Sequence, residues 1–145
     1  MLLEIISEAV VGRAEHTFTW THTLPADGVV QVLGVRPGPS KARVRAEGGS
    51  PQAEVTVDVD LWFLGQDGTR VTRTRCQTVQ PAPVALRGNL LSDPSYDLRL
   101  LGNARTTDVR VEDGSVHLDM AVTVEVEARA LTRYWVRAED HVPAR

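Results

Sequence analysis

Two segments of this 145-residue chain alternate apolar and polar residues almost without error, and each adjoins an Asp-Gly turn. The first runs from Glu54 to Leu64 (EVTVDVDLWFL), ahead of Gln66-Asp67-Gly68. The second runs from Ser115 to Ala128 (SVHLDMAVTVEVEA), behind Asp113-Gly114. In the second, Val116, Leu118, Met120, Val122, Val124, Val126 and Ala128 share one phase, and His117, Asp119, Thr123, Glu125 and Glu127 share the other. A period of two places each set on one face of a strand, whereas a helix with 3.6 residues per turn scatters both sets around its axis. The chain is therefore expected to build sheet.

Other segments point the same way. His16 to Thr23 (HTFTWTHT) alternates, with His16, Phe18, Trp20 and His22 in one phase, and Leu24 to Gly28 reads as a turn. Val29 to Val35 reads as a short buried strand stopped by Pro37-Gly38-Pro39, and Ala42 to Glu47 as a separate one. Gly48-Gly49-Ser50-Pro51 turns the chain into the Glu54 strand, and Asp67-Gly68 turns it again into Thr69 to Cys76. Residues 80 to 97, with Pro81, Pro83, Gly88 and Pro94, read as irregular. Tyr96 to Leu101 is an expected strand, Thr107 to Glu112 pairs through Asp113-Gly114 with the second long segment, and Leu131 to Val136 is an expected closing strand. The N-terminal LLEIISEAVVG carries both a helical stripe and β-branched pairs; the sheet offered by the rest of the chain favours extended structure there.

Turn signals at 8–12-residue spacing and no long helical stripe give an all-β fold: an antiparallel β-sandwich or flattened barrel with long hairpin strands and little or no helix. Eleven residues at about 3.3 Å each span roughly 36 Å, so the long strands are expected to bend across two sheets. Residues 1–138 form one self-assembling domain in this reading, with 139–145 a frayed tail.

Composition excludes several functions. The net charge of −3 and the lack of a basic stripe argue against a nucleic-acid partner. Of the 16 basic residues only Lys41 is lysine, which reflects either GC-rich coding or a preference for bidentate Arg–carboxylate contacts between sheets or subunits. A single cysteine, Cys76, forms no intrachain disulfide and fits a reducing compartment. The apolar start is broken at Glu4 and Glu8 with no cationic segment before it, and no run approaches the ~20 apolar residues of a membrane span. Neither a signal peptide nor membrane insertion is expected.

Candidate chemistry is sparse. His16 and His22 share a phase, but no third ligand with zinc-like spacing accompanies them, so no metal is expected. Asp58 and Asp60 lie about 7 Å apart on one strand face, a separation known between glycosidase carboxylates; Glu125 and Glu127 repeat the pattern, and solvated strand faces explain both. Cys76 lacks a Cys-His-Asn context and reads as a structural thiol. Gly48-Gly49-Ser50 lacks the lysine and helix of a phosphate loop. No enzyme activity and no cofactor is expected. What remains is surface: Trp20, Trp62, Tyr134 and Trp135 are four of seven aromatics. Exposed tryptophans anchor interfaces, and long strands leave edges able to accept strands from another subunit. The candidate assembly interface comprises Trp20, Asp58, Asp60, Trp62, Glu125, Glu127 and Trp135.

Read in series, EIISEAVVG (Glu4 to Gly12), THT (Thr21 to Thr23), VLG (Val32 to Gly34), EVTVDVDLWF (Glu54 to Phe63), VRVEDGSVHLDMAVTVEVE (Val109 to Glu127) and a closing strand near Trp135 resemble the outer spore coat morphogenetic protein E family. The resemblance runs from Glu4 to about Arg137, with EIISEAVVG its most specific piece. It implies a non-enzymatic, self-associating building block. Such a protein is made in the mother-cell cytoplasm, is laid as a layer on the forespore, and ends in the endospore outer coat. It also implies contacts with the basement-layer coat ATPase and with other spore coat proteins. Family members usually run on into a strongly acidic tail, where this sequence ends at HVPAR. The alternative is a carbohydrate- or peptide-binding β-sandwich with Trp20 or Trp62 as a stacking platform.

Overall fold

The computed structural model describes residues 1–47 and 49–137; the tail expected to fray lies outside them. The described residues form eight strands and no helix: β1 (Leu2–Pro25), β2 (Val29–Glu47), β3 (Ser50–Gly65), β4 (Gly68–Pro81), β5 (Asn89–Leu90), β6 (Ser95–Leu100), β7 (Arg105–Glu112) and β8 (Ser115–Arg137). All pairings are antiparallel. In one sheet β8 is central, with β1 along its whole length on one side and β7, β6 and β5 in succession on the other. The other sheet has the order β2-β3-β4. The two sheets pack face to face as a β-sandwich, β4 lying against β1 and β2 against β6 and β7.

The two alternating segments are the middle strands of the two sheets. Their apolar phases meet between the layers: Val55, Val57, Val59, Leu61 and Phe63 from β3, and Val116, Leu118, Met120, Val122, Val124 and Val126 from β8, are all 0–1% exposed. Each such side chain stabilises by roughly 1.5–3 kcal/mol through burial. This double row accounts for most of the core. At the Asp113-Gly114 turn both residues hold positive φ (50° and 74°), as a two-residue hairpin whose twist matches its strands requires.

Four expectations about the strands are corrected. The long strands do not bend across two sheets: β3 pairs only with β2 and β4, and β8 only with strands of its own sheet. Leu131 to Val136 is no separate strand but the last part of β8, because β1 continues to pair with it as far as Leu2↔Arg137. The Leu24–Gly28 turn is shorter than expected, since β1 runs on to Pro25. Finally, Val29–Val35 and Ala42–Glu47 are one strand. Pro37-Gly38-Pro39 does not break β2, since β2 is an edge strand and its register slips between Pro37 and Ser40. A proline at a bulge or on the solvent side of an edge costs no ladder hydrogen bond. The N-terminal segment is extended, as favoured above.

One irregularity shapes the site. Register shifts between Val10 and Gly12, so Val11 turns inward (4% exposed) and the phase of β1 inverts on its far side. The irregular segment after β4 folds over this bulge: the Arg87 amide donates to the Val11 carbonyl at 2.8 Å. A second, small core of Val11, Ala128 and Ala130 forms beneath Val84, Leu90 and Tyr96. Beyond the bulge, Leu2–Val10 and Arg129–Arg137 leave the sandwich as an arm, two-stranded except where β6 reaches Arg129 and β5 pairs with Thr132 and Arg133.

Candidate functional site

On the outer face of the β2-β3-β4 sheet, the polar phase of β3 presents Glu54, Thr56, Asp58, Asp60 and Trp62. Each acid is tied to a neighbouring strand. Arg73 Nε donates to Asp60 Oδ1 at 2.8 Å and Arg75 Nε to Asp58 Oδ1 at 3.1 Å. Glu54, 8% exposed, accepts from Arg43 Nε at 3.1 Å and Gln77 Nε2 at 3.1 Å and also pairs with Arg45. A shallow hollow of about 300 Å³ lies over Glu54, Thr56 and Asp58, walled by Lys41, Arg43 and Arg75. Trp62 is outward, as its phase implied, but only partly exposed. It lies across Gly34, where a Cβ would stand 3.6 Å from the ring.

The outer face of the β8 sheet repeats the pattern. Glu127 accepts from Arg13 at 2.9 Å and pairs with Arg129 at 2.7 Å, Glu125 pairs with Arg99 at 3.3 Å, and Asp119 joins Thr21 (2.6 Å) and Arg110. The arginine-for-lysine preference thus serves cross-strand ladders within one chain. All four acids expected at an assembly interface (Asp58, Asp60, Glu125 and Glu127) are ladder members.

These pairs set a pH response. Hydrogen bonds from Arg43, Arg73, Arg110 and Arg13 hold the Glu54, Asp60, Asp119 and Glu127 carboxyls below the usual carboxylate range. A depressed carboxyl contributes stability above its unfolded pKa of about 4 and loses it as pH falls through the lower folded value. His22, lowered by burial, acts in the same direction from about pH 6.5 downward, since the unfolded chain takes up its proton first. Urea midpoints are therefore expected to fall on acidification, gently below about pH 6.5 and steeply below about pH 4. His22→Gln removes the first limb and Asp60→Asn weakens the second. A midpoint that rises on acidification contradicts this account.

Trp20 is corrected in part. It faces inward with Phe18 and packs, partly buried, against the core, its indole N–H enclosed with no hydrogen-bond partner. His16 and His22 share its face but are not solvated strand histidines. His16 Nε2 lies 2.9 Å from the Pro83 carbonyl, and His22 Nε2 lies 2.8 Å from Thr74 Oγ1. With Gln80 Nε2 donating to the Thr19 carbonyl at 3.2 Å, they close the β1/β4 side of the sandwich. Among the described residues no group of three His, Cys, Asp or Glu side chains is placed to hold a metal. Cys76 is fully buried, and burial pushes its thiol up to about 11, which suits a structural role.

Trp135 stands apart from the other expected residues. It is 58% exposed, on the arm, among Leu2 (64%), Ile6 (54%), Val10 (42%), Leu131 (44%) and Tyr134 (44%). Sequence reasoning picked out Trp135 and Tyr134 but missed their β1 partners, because LLEIISEAVVG has no single period: the bulge at Val11 inverts its phase. The usable signal was the pairing of two apolar segments that each carry isolated charges of one sign, Glu4 and Glu8 against Arg133 and Arg137.

No family model matches this chain, nor does any curated protein or any solved structure. No helix among the described residues is long and apolar enough to cross a membrane.

Proposed function

We propose that this chain is a structural, self-associating subunit of the outer spore coat. In this reading it is made in the mother-cell cytoplasm, forms a layer around the forespore, and organises coat assembly with other coat proteins and the basement-layer coat ATPase. Two separate supports carry it. The stretches from EIISEAVVG to the strand near Trp135, similar to the morphogenetic protein E family, point to the spore coat. Self-association rests on one observation, the arm. Its apolar side chains stand largely in water, while the acids of the sheet faces are engaged in ion pairs of their own chain. Contiguous exposed apolar surface of this kind marks interaction sites. Light scattering of the purified chain is expected to show mass rising with concentration; a monomer at every concentration overturns the reading.

A peptide-binding reading has one observation in its favour. Between the edge strands β2 and β7 runs a groove of about 420 Å³ lined by Val30, Val32, Leu33, Val35, Val109 and Val111. Two free edges flanking an apolar slot suit strand addition. For a carbohydrate, Trp20 is a poor stacking platform, since it packs against the core and is only partly exposed.

A further inference from the structure

We propose that the arm is the self-association interface, and that two copies pair their arms face to face about a two-fold axis running along the arm. This deepens the self-associating reading above and rests on it.

One face of the arm carries ten residues: Leu2, Glu4, Ile6, Glu8 and Val10 on β1, opposite Arg137, Trp135, Arg133, Leu131 and Arg129 on β8. All ten are exposed. The other face is covered nearer the sandwich, where Ala130 and Thr132 are buried. The open face is a checkerboard. Its apolar members follow a zigzag from Leu2 through Trp135, Ile6 and Leu131 to Val10. Its charges are sorted by strand, acids on β1 and guanidiniums on β8.

That sorting selects the occupant and its orientation. An axis along the arm lays β1 of one copy over β8 of the other, so Glu4 and Glu8 come within reach of the partner copy's guanidiniums. The axis keeps each residue at its own height along the arm, so Leu2, Ile6 and Val10 lie over the aliphatic stems of the partner copy's Arg137, Arg133 and Arg129. An axis across the arm instead stacks β1 on β1, acid over acid. Edge pairing of β1 with β1 centred on Ile6 sets Glu4 opposite Glu8, and directly opposed like charges destabilise a sheet. Only the first arrangement sets the acidic strand over the basic one. Its size is adequate: nine residues at about 3.3 Å by two strands give a face of roughly 30 by 10 Å. With side-chain relief this buries on the order of 1,000 Å² in the pair, the lower limit for a specific interface. The pair should therefore form in a concentration-dependent way, and growth into a layer needs a second contact.

The test uses the full chain in sedimentation velocity. Glu4→Arg/Glu8→Arg makes both strands basic, and Arg129→Glu/Arg133→Glu/Arg137→Glu makes both acidic. Each alone is expected to dimerise at least about tenfold more weakly than the parent, and a 1:1 mixture to recover dimerisation. Both variants lose the Glu4–Arg133 pair of a single arm, so recovery on mixing cannot come from repaired folding. Orientation is read by thiol cross-linking with a reagent matched to the ~10 Å sheet spacing, Cys76 being buried and silent. Val10→Cys alone is expected to cross-link with its own copy, because an axis along the arm keeps the two positions about 11 Å apart, whereas an axis across the arm through Ile6 separates them by about 28 Å. Failure of Val10→Cys to cross-link with its own copy in the dimer overturns the proposed axis, as does weakening of both charge variants without recovery on mixing. Unchanged association in both variants rules out the arm but leaves self-association standing. A parent chain that stays monomeric overturns both, and co-sedimentation of that monomer with lipid vesicles would assign the arm to a membrane surface instead.

Discussion

Replacing Phe63 with alanine is expected to lower stability by about 3–5 kcal/mol, while Trp62→Ala, one residue away, costs far less. The two aromatics are adjacent in sequence and opposite in environment. Phe63 is 1% exposed between the sheets, among the largest fully buried side chains, with the Arg70 guanidinium 5.8 Å above its ring. Truncation removes its transfer energy and leaves a cavity that two strand-locked layers close poorly. Trp62 lies on the outside across Gly34, and water fills its place when it is shortened. A domain of this size has roughly 5–15 kcal/mol in total, so Phe63→Ala removes about a fifth of it or more. Urea unfolding of the two variants side by side decides the matter, and equal losses would contradict the assignment of inner and outer faces.

Gly12→Val is the second large effect, expected at about 2–3 kcal/mol. A Cβ at Gly12 would stand 2.5 Å from the Ala85 carbonyl oxygen and 2.7 Å from Val84 Cγ1. The oxygen belongs to backbone and cannot rotate away, so the segment after β4 must lift off the bulge. With it goes the Arg87 amide bond to Val11 and the cover over Val11, Ala128 and Ala130. Hydrogen exchange at the Arg87 amide is expected to accelerate together with the loss in melting temperature. A variant as stable as the parent would show that this segment does not seal the bulge.

The legible part of the fold was the part written in period two. Val55 to Phe63 and Val116 to Val126 announce themselves as strands because one phase of each is wholly apolar, and that phase is the core. Turn chemistry at Asp67-Gly68 and Asp113-Gly114 fixed the hairpins for the same local reason. The failures arose where a tertiary position overrides a local signal. Pro37 and Pro39 read as a stop, yet an edge strand tolerates them. Trp20 read as surface because no sequence pattern says which phase of HTFTWTHT faces the other sheet. The arm was hidden by the bulge at Val11, where one extra residue exchanges the faces of everything before it. Asp58, Asp60, Glu125 and Glu127 were placed on outer faces, as their phase required, but their arginine partners lie on neighbouring strands that only the register brings opposite. The surface with the strongest claim to function is the one where these features coincide: a bulge, an inverted phase, and apolar residues facing water.

Electron microscopy of the purified chain tests the central claim most directly. The self-associating reading calls for extended sheets or fibres of regular spacing, and for their disappearance in Ile6→Glu/Trp135→Glu. Uniform, dispersed particles of single-chain size for the unaltered chain at high concentration would contradict it.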